Sequence, residues 1–284
     1  MTTATSFRCA AASALTALAF SSDVSAQAAP PNAWRMLPAL PTTCYVDDDF
    51  SARLGAAGEA LQAEVDRQKQ VNDAARERFD NMDMQEKAQR MQAFMMRNPE
   101  AAMKMLQTEQ AAGTSAQAKS EELTEAGKRL DAELERLQAA FRAAADLAVK
   151  PIQARTRQLI DMKTITVGEA AVAMFTSAAD HAQYVQLVAE ENAAYEKACA
   201  PYFGPGGSFH RWVSSYRTEI FDKLVAHEGA GDAMMIVQMQ ALDLPGGGYR
   251  STYALEQAYN FRTRLHTIWA IRYHKAEPTV RLRK

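Results

Sequence analysis

Residues 120–148 read SEELTEAGKRLDAELERLQAAFRAAADLA, and the spacing of their apolar side chains decides the fold class. Leu123, Leu130, Leu137 and Ala144 recur at every seventh position, with Leu134, Phe141 and Ala148 beside them. Such a repeat lays one apolar stripe along a helix, and the stripe needs a partner to cover it. Upstream, Leu54, Leu61, Val65, Ala75, Phe79 and Met82 offer an answering stripe, interrupted by Gln68 and Asn72. Buried polar layers of that kind set register at a cost in stability.

From Phe50 to Met162 the chain is dominated by Ala, Glu, Gln, Lys, Arg and Met, a composition of long helices rather than of an aromatic core. Asp47, Asp48 and Asp49 stand at the head of this region, where carboxylates cap free N–H groups and complement the helix dipole. Calcium binding by the same triplet lacks the spaced oxygens and the glycine of a calcium loop. A helix from Phe50 to Arg97 would be about 70 Å long at 1.5 Å per residue. Such an arm projects, pairs with another chain, or both. Asn98-Pro99 then breaks it, a short helix follows through Leu106, and Ala112-Gly113-Thr114-Ser115 reverses the direction. Pro151 is expected to kink the second helix rather than end it.

Beyond Ile165 aromatic residues become frequent, among them Phe175, Tyr184, Tyr195, Phe203, Phe209, Trp212, Tyr216, Phe261 and Trp269. These supply the bulk of a globular core. Breaks at Pro201–Gly207, Gly229–Gly231 and Pro245–Gly248 divide the region into four or five expected helices, with Ser208 as an N-cap. The expected class is all-α: a long antiparallel, coiled-coil-like helical hairpin over 50–163 projecting from an aromatic-rich helical bundle over 164–284.

At the other end, Arg8 followed by the apolar run Cys9–Phe20 and by Val24-Ser25-Ala26 has the pattern of a secretory signal over 1–26. Cleavage near Ala26 leaves an extended segment over 27–49. The address implied is the periplasm of a Gram-negative-type envelope, or secretion. Of the cysteines, Cys44 and Cys199 remain after cleavage, and an even pair in an exported chain is most simply a disulfide. No later stretch is apolar for the length of a membrane span, so no transmembrane segment is expected in the mature chain. A formal net charge of -2 argues against nucleic acid as a partner.

Half of the 14 methionines, Met82, Met84, Met91, Met95, Met96, Met103 and Met105, gather toward the far end of the hairpin. Methionine is flexible and polarizable, so a surface made of it adapts to varied apolar partners. The same residues would equally serve to pack a kinked tip against itself or against neighbouring protomers. Thioethers also select Cu(I), although the i,i+2 spacing of Met82 with Met84 and of Met103 with Met105 points them to different sides of a helix.

The histidines, His181, His210, His227, His266 and His274, show no metal-binding spacing, and no cofactor motif is present. The turn Gly204-Pro205-Gly206-Gly207-Ser208 has the form of an anion-binding helix start but lacks a phosphate-loop lysine. Near the C-terminus Arg272, Lys275, Arg281, Arg283 and Lys284 form a diffuse basic set suited either to an anionic envelope surface or to internal charge compensation. These features favour an interaction protein whose partners are other proteins or further copies of itself as a homo-oligomer, a scaffold or a holdase-type chaperone. The alternatives are an enzymatic or small-ligand-binding body, with His210, Glu219 or Arg262 converging on a pocket, and a Met-based copper-binding protein.

Overall fold

The computed structural model describes residues 33–97, 99, 115–167, 172–225 and 251–283. Six α-helices carry the fold among these residues: α1 (Asp48–Asn81), α2 (Met84–Arg97), α3 (Ser115–Lys163), α4 (Ala178–Phe203), α5 (Ser208–Tyr216) and α6 (Tyr253–Ala270). The expected all-α class holds, with one small sheet added. Strand β1 (Thr164–Val167) pairs antiparallel with β2 (Val172–Phe175), and β2 pairs parallel with β3 (Arg281–Leu282), in the order β1-β2-β3. These strands were not anticipated. Thr164, Ile165, Thr166 and Val167 are β-branched and suit a pleated ribbon, but a run of four is too short to stand out by periodicity.

Asp47 starts α1 as expected, its carboxylate accepting from the Asp49 N–H at 3.0 Å. The arm is not one continuous helix to Arg97. Met82 turns extended (φ -77°, ψ 138°), and the Asp83 carboxylate accepts from the Gln85 N–H at 3.0 Å to begin α2. Asp83 followed by Glu86 is a capping pattern inside the helical run, so the break had a local signal. The expected break at Asn98-Pro99, the helix through Leu106 and the reversal at Ala112–Thr114 lie outside the described residues.

Helix α3 passes through Pro151, whose side is exposed, and ends at Lys163. Its buried face runs through Leu130, Leu134, Phe141, Ala145, Val149 and Ile152. Leu123 and Leu137 of the heptad are only half-buried. The partners differ from those of a simple hairpin: α1 lies chiefly against α6, and α3 lies against α4. Both long helices reach one shared core, in which Phe50 and Leu54 meet residues of α3, α4, α5 and α6. Bulky aromatic stripes from the C-terminal half outcompete the smaller side chains of the opposite arm because they bury more apolar area per residue.

Phe141 sits at the centre of that core, with Phe203 at 5.2 Å, Tyr202 at 5.4 Å and Phe209 at 6.3 Å, all edge-on. The Trp212 indole N–H donates to the Leu130 carbonyl at 2.8 Å, tying α5 to α3. The N-terminal segment joins in through Trp34, which lies 5.0 Å from Phe221 and 4.7 Å from Phe261. Gln68 and Asn72 are buried on α1 and hydrogen-bonded to each other at 3.0 Å.

Helix α4 runs through Pro201 rather than stopping there. The turn that follows needs its glycines: Gly206 has φ +68°, and a Cβ on Gly207 would collide with the Tyr202 carbonyl. Gly207, not Ser208, is the N-cap of α5, and Ser208 Oγ instead lies 3.0 Å from the Arg211 guanidinium. After Tyr216 the helix widens into a π-helical turn, Arg217–Phe221, which brings the adjacent Ile220 and Phe221 both inside.

Candidate functional site

Among the methionines singled out by the sequence, Met84 is 77% exposed, Met95 39% and Met96 74%. Met82 and Met91 are half-buried, and Met103 and Met105 lie outside the described residues. Met84, Ala88, Met91 and Met95 follow one another at i, i+4, i+7 and i+11, so they share one side of α2. Phe94 belongs to the same apolar surface and was missed, although its helical spacing from Met91 was readable. No residue of α2 is buried. The helix is held by local interactions: Glu86 pairs with Arg90 at 2.7 Å, and the Lys87 ammonium lies 4.4 Å from the centre of the Phe79 ring across the break. Exposed pairs of this kind each contribute only a few tenths of a kcal/mol.

The basic set does not stay together. Arg272 is only 4% exposed, which removes it from any role on an anionic surface. Its Nη2 donates to the Pro41 carbonyl at 3.1 Å and its guanidinium lies 4.2 Å from the centre of the Phe203 ring, while Nε and Nη1 lack partners. Burial lowers its pKa to about 10. Lys275 is exposed beside Tyr45, and Arg281 and Arg283 are exposed at the β3 edge, with the Arg283 N–H bonded to the Phe175 carbonyl at 2.8 Å. Lys284 lies outside the described residues. Internal compensation is visible one helix back, where Arg264 grips Asp131 of α3 through bonds of 3.0 and 3.1 Å.

The residues proposed to converge on a catalytic pocket do not meet. His210 Nε2 lies 3.1 Å from the Phe203 carbonyl, and Glu219 pairs with Arg129. Arg262 points elsewhere, over the Tyr259 ring at 4.6 Å. Among the described residues no group of three or more His, Cys, Asp or Glu side chains is placed to hold a metal ion.

Cys44 and Cys199 form the expected disulfide, with their Cα atoms 5.8 Å apart. It anchors the N-terminal segment to α4, and the polar groups around it anchor the C-terminal tail. Tyr195 Oη donates to the Cys44 carbonyl at 2.8 Å and accepts from the Tyr273 N–H at 2.9 Å. One turn away, Asn192 accepts from the Ala276 N–H at 3.0 Å, and further along Tyr184 Oη accepts from the Thr279 N–H at 2.9 Å. Three side chains of α4 thus satisfy backbone donors that an extended tail would otherwise leave unpaired. Burial raises the Tyr195 pKa, while burial and the bond to Asp146, 2.5 Å long, push Tyr273 up to about 12. Asp146 is held below the usual carboxylate range, first by Lys150 and then by Tyr273.

The fold and these sites define an all-α protein with a disulfide-anchored aromatic body and an amphipathic methionine-bearing helix. No family model, no curated protein and no solved structure matches the chain. None of the described helices is long and apolar enough to cross a membrane. The disulfide fits a periplasmic or extracellular setting, where such bonds form and persist. The stretch read as a secretory signal, 1–26, lies outside the described residues.

Proposed function

We propose that the protein is an exported interaction protein, an envelope scaffold or holdase-type chaperone, that holds apolar segments of other proteins against the methionine-bearing face of α2. The observation that carries this reading is that α2 buries no residue of its own while Met84 and Met95 stand exposed on one side of it and Met96 stands exposed about 100° further round the helix. Scattered exposed apolar residues are ordinary on protein surfaces, but large flexible thioethers carried by an amphipathic helix that buries no residue suit binding by helix or extended peptide. The disulfide-linked body supports it as a rigid base.

The test is suppression of aggregation. An unfolded outer-membrane protein diluted from urea should stay dispersed in the presence of excess purified protein, as read by light scattering. Replacing Met84, Met95 and Met96 together with Ser should weaken the effect several-fold while leaving the near-ultraviolet circular dichroism of the body unchanged. Equal suppression by the triple variant would overturn the assignment to α2, and no suppression by either protein would overturn the chaperone reading.

A further inference from the structure

A second candidate site lies on the body, in the groove between α1 and α6. The helices run antiparallel here, since the Trp269 indole N–H near the end of α6 donates to the Asp47 carbonyl at the start of α1, at 3.1 Å. Further along, Gly58 of α1 lies under Arg262 of α6, so closely that a Cβ at Gly58 would meet the guanidinium. Between these two contacts the surface opens into a cleft of about 400 Å³ lined by Ser51, Leu54, Gly55, Arg262, Thr263, His266 and Thr267.

The chemistry of the lining is one-sided. It offers one guanidinium, one imidazole and three hydroxyls, and no carboxylate. Thr263 Oγ1 donates to the Asn260 carbonyl at 2.7 Å and Thr267 Oγ1 to the Thr263 carbonyl at 2.9 Å, which leaves both hydroxyls as acceptors toward the cleft. Arg262 makes no ion pair among the described residues, whereas its neighbour Arg264 is occupied by Asp131. The Tyr259 ring, 4.6 Å away, and Gly58 hold the Arg262 stem and fork from two sides, and the His266 ring lies 5.4 Å from Trp269. The floor is open because Gly55 has no side chain: a Cβ there would meet nothing within 4 Å.

A positioned guanidinium with free N–H groups recognises oxyanions in a bidentate fashion, and flanking acceptors suit hydroxyl groups carried by the same ligand. A volume near 400 Å³ exceeds the needs of a bare oxyanion and falls in the range of small-molecule sites. We infer that this cleft binds a phosphate monoester carried on a hydroxylated group, with Arg262 and His266 on the phosphate and Ser51, Thr263 and Thr267 on the hydroxyls. The proposal is independent of the role of α2, because none of the cleft residues belongs to that helix. The shared chemistry is met by a soluble sugar phosphate or by a phosphomonoester lipid headgroup.

Isothermal titration calorimetry of the disulfide-intact protein with glucose 6-phosphate should give saturable binding in about the millimolar range or tighter, with glucose giving none. Co-sedimentation with phosphatidylcholine vesicles containing phosphatidic acid tests the lipid source. Arg262→Met, which keeps the packing stem, should weaken whichever ligand binds by at least about tenfold, the usual scale for a charge-assisted bond. Gly55→Leu should have the same effect by filling the cleft from a helix position where an added Cβ meets nothing within 4 Å. Circular dichroism of both variants should match the parent. Absence of binding to both glucose 6-phosphate and the vesicles, or binding unaltered in the folded Gly55→Leu variant, would overturn the proposal.

Discussion

Helices α1 and α2 follow one another directly in the chain, α1 with aliphatic residues and no methionine and α2 with four methionines, yet α1 buries nine residues and α2 none. On α1 the last buried position is Ala75, after which the helix has run past the elements that cover it. Both pieces carry an apolar stripe at helical spacing. The difference shows that a stripe states what a helix can bury, while burial itself depends on what lies opposite. It also separates two kinds of apolar surface in one molecule: the aromatic body, closed by mutual contacts, and the thioether surface of α2, none of whose residues is buried.

The sharpest way to break the body while sparing α2 is to remove the covalent tie. Replacing Cys44 with Ser and Cys199 with Ala opens a loop with a sequence separation of 155. In the chain-entropy model this costs about 5 kcal/mol, less any strain relieved, and the loss is read as a shift in the urea midpoint. Phe141→Ala should come next, at roughly 3–5 kcal/mol, because it empties the middle of the aromatic cluster. An effect of either change as small as that of a surface substitution would show that the body is not the rigid half of the comparison.

The tail anchored on α4 gives a smaller, pH-dependent signal. Tyr273 keeps its proton in the folded state up to about 12 against an ordinary 10.0. Below the ordinary value it is protonated whether folded or not, and its contribution is fully present. Between the two values the unfolded chain releases the proton and the folded chain does not, so stability falls as pH rises. Arg272, lowered to about 10 by burial, acts in the opposite direction over the same range, because the unfolded chain then holds the extra proton. Tyr273→Phe should therefore make the slope of stability against pH above 10 less negative, measured by urea midpoints at successive pH values. An unchanged slope would show that Tyr273 is not held as described.

The smallest effect sharpens the comparison most. Changing Met84, Met95 and Met96 to Ser should leave global stability within about 0.5 kcal/mol of the parent, as expected for exposed positions. A loss of several kcal/mol would mean that α2 is covered in solution, by self-association or otherwise, and that its methionines are structural.

Much of the fold was readable because it rests on local signals. The heptad around Leu130 and Phe141 announced a long helix, Asp47 announced its predecessor, and Cys44 with Cys199 announced their pairing. Asp83 with Glu86 was as clear a capping signal, hidden inside an otherwise unbroken helical pattern. The candidate sites were less readable. Met84, Met95 and Met96 stood out by composition, but the groove at Gly55, Arg262 and His266 joins residues more than two hundred positions apart. Arg272 looked like its basic neighbours in sequence, and only its place against Phe203 and Pro41 distinguishes it.

The sequence alone determined the helical class, the start of α1 and the cysteine pair, since backbone periodicity, capping and cysteine arithmetic act over short spans or need no geometry. Only the tertiary structure decided that α1 lies on α6 and α3 on α4, that Arg272 is buried, and that a cleft lined by Arg262, His266 and hydroxyls opens beside Gly55. Partner choice between helices is a competition over buried area among surfaces distant in the chain, and no local pattern records its outcome.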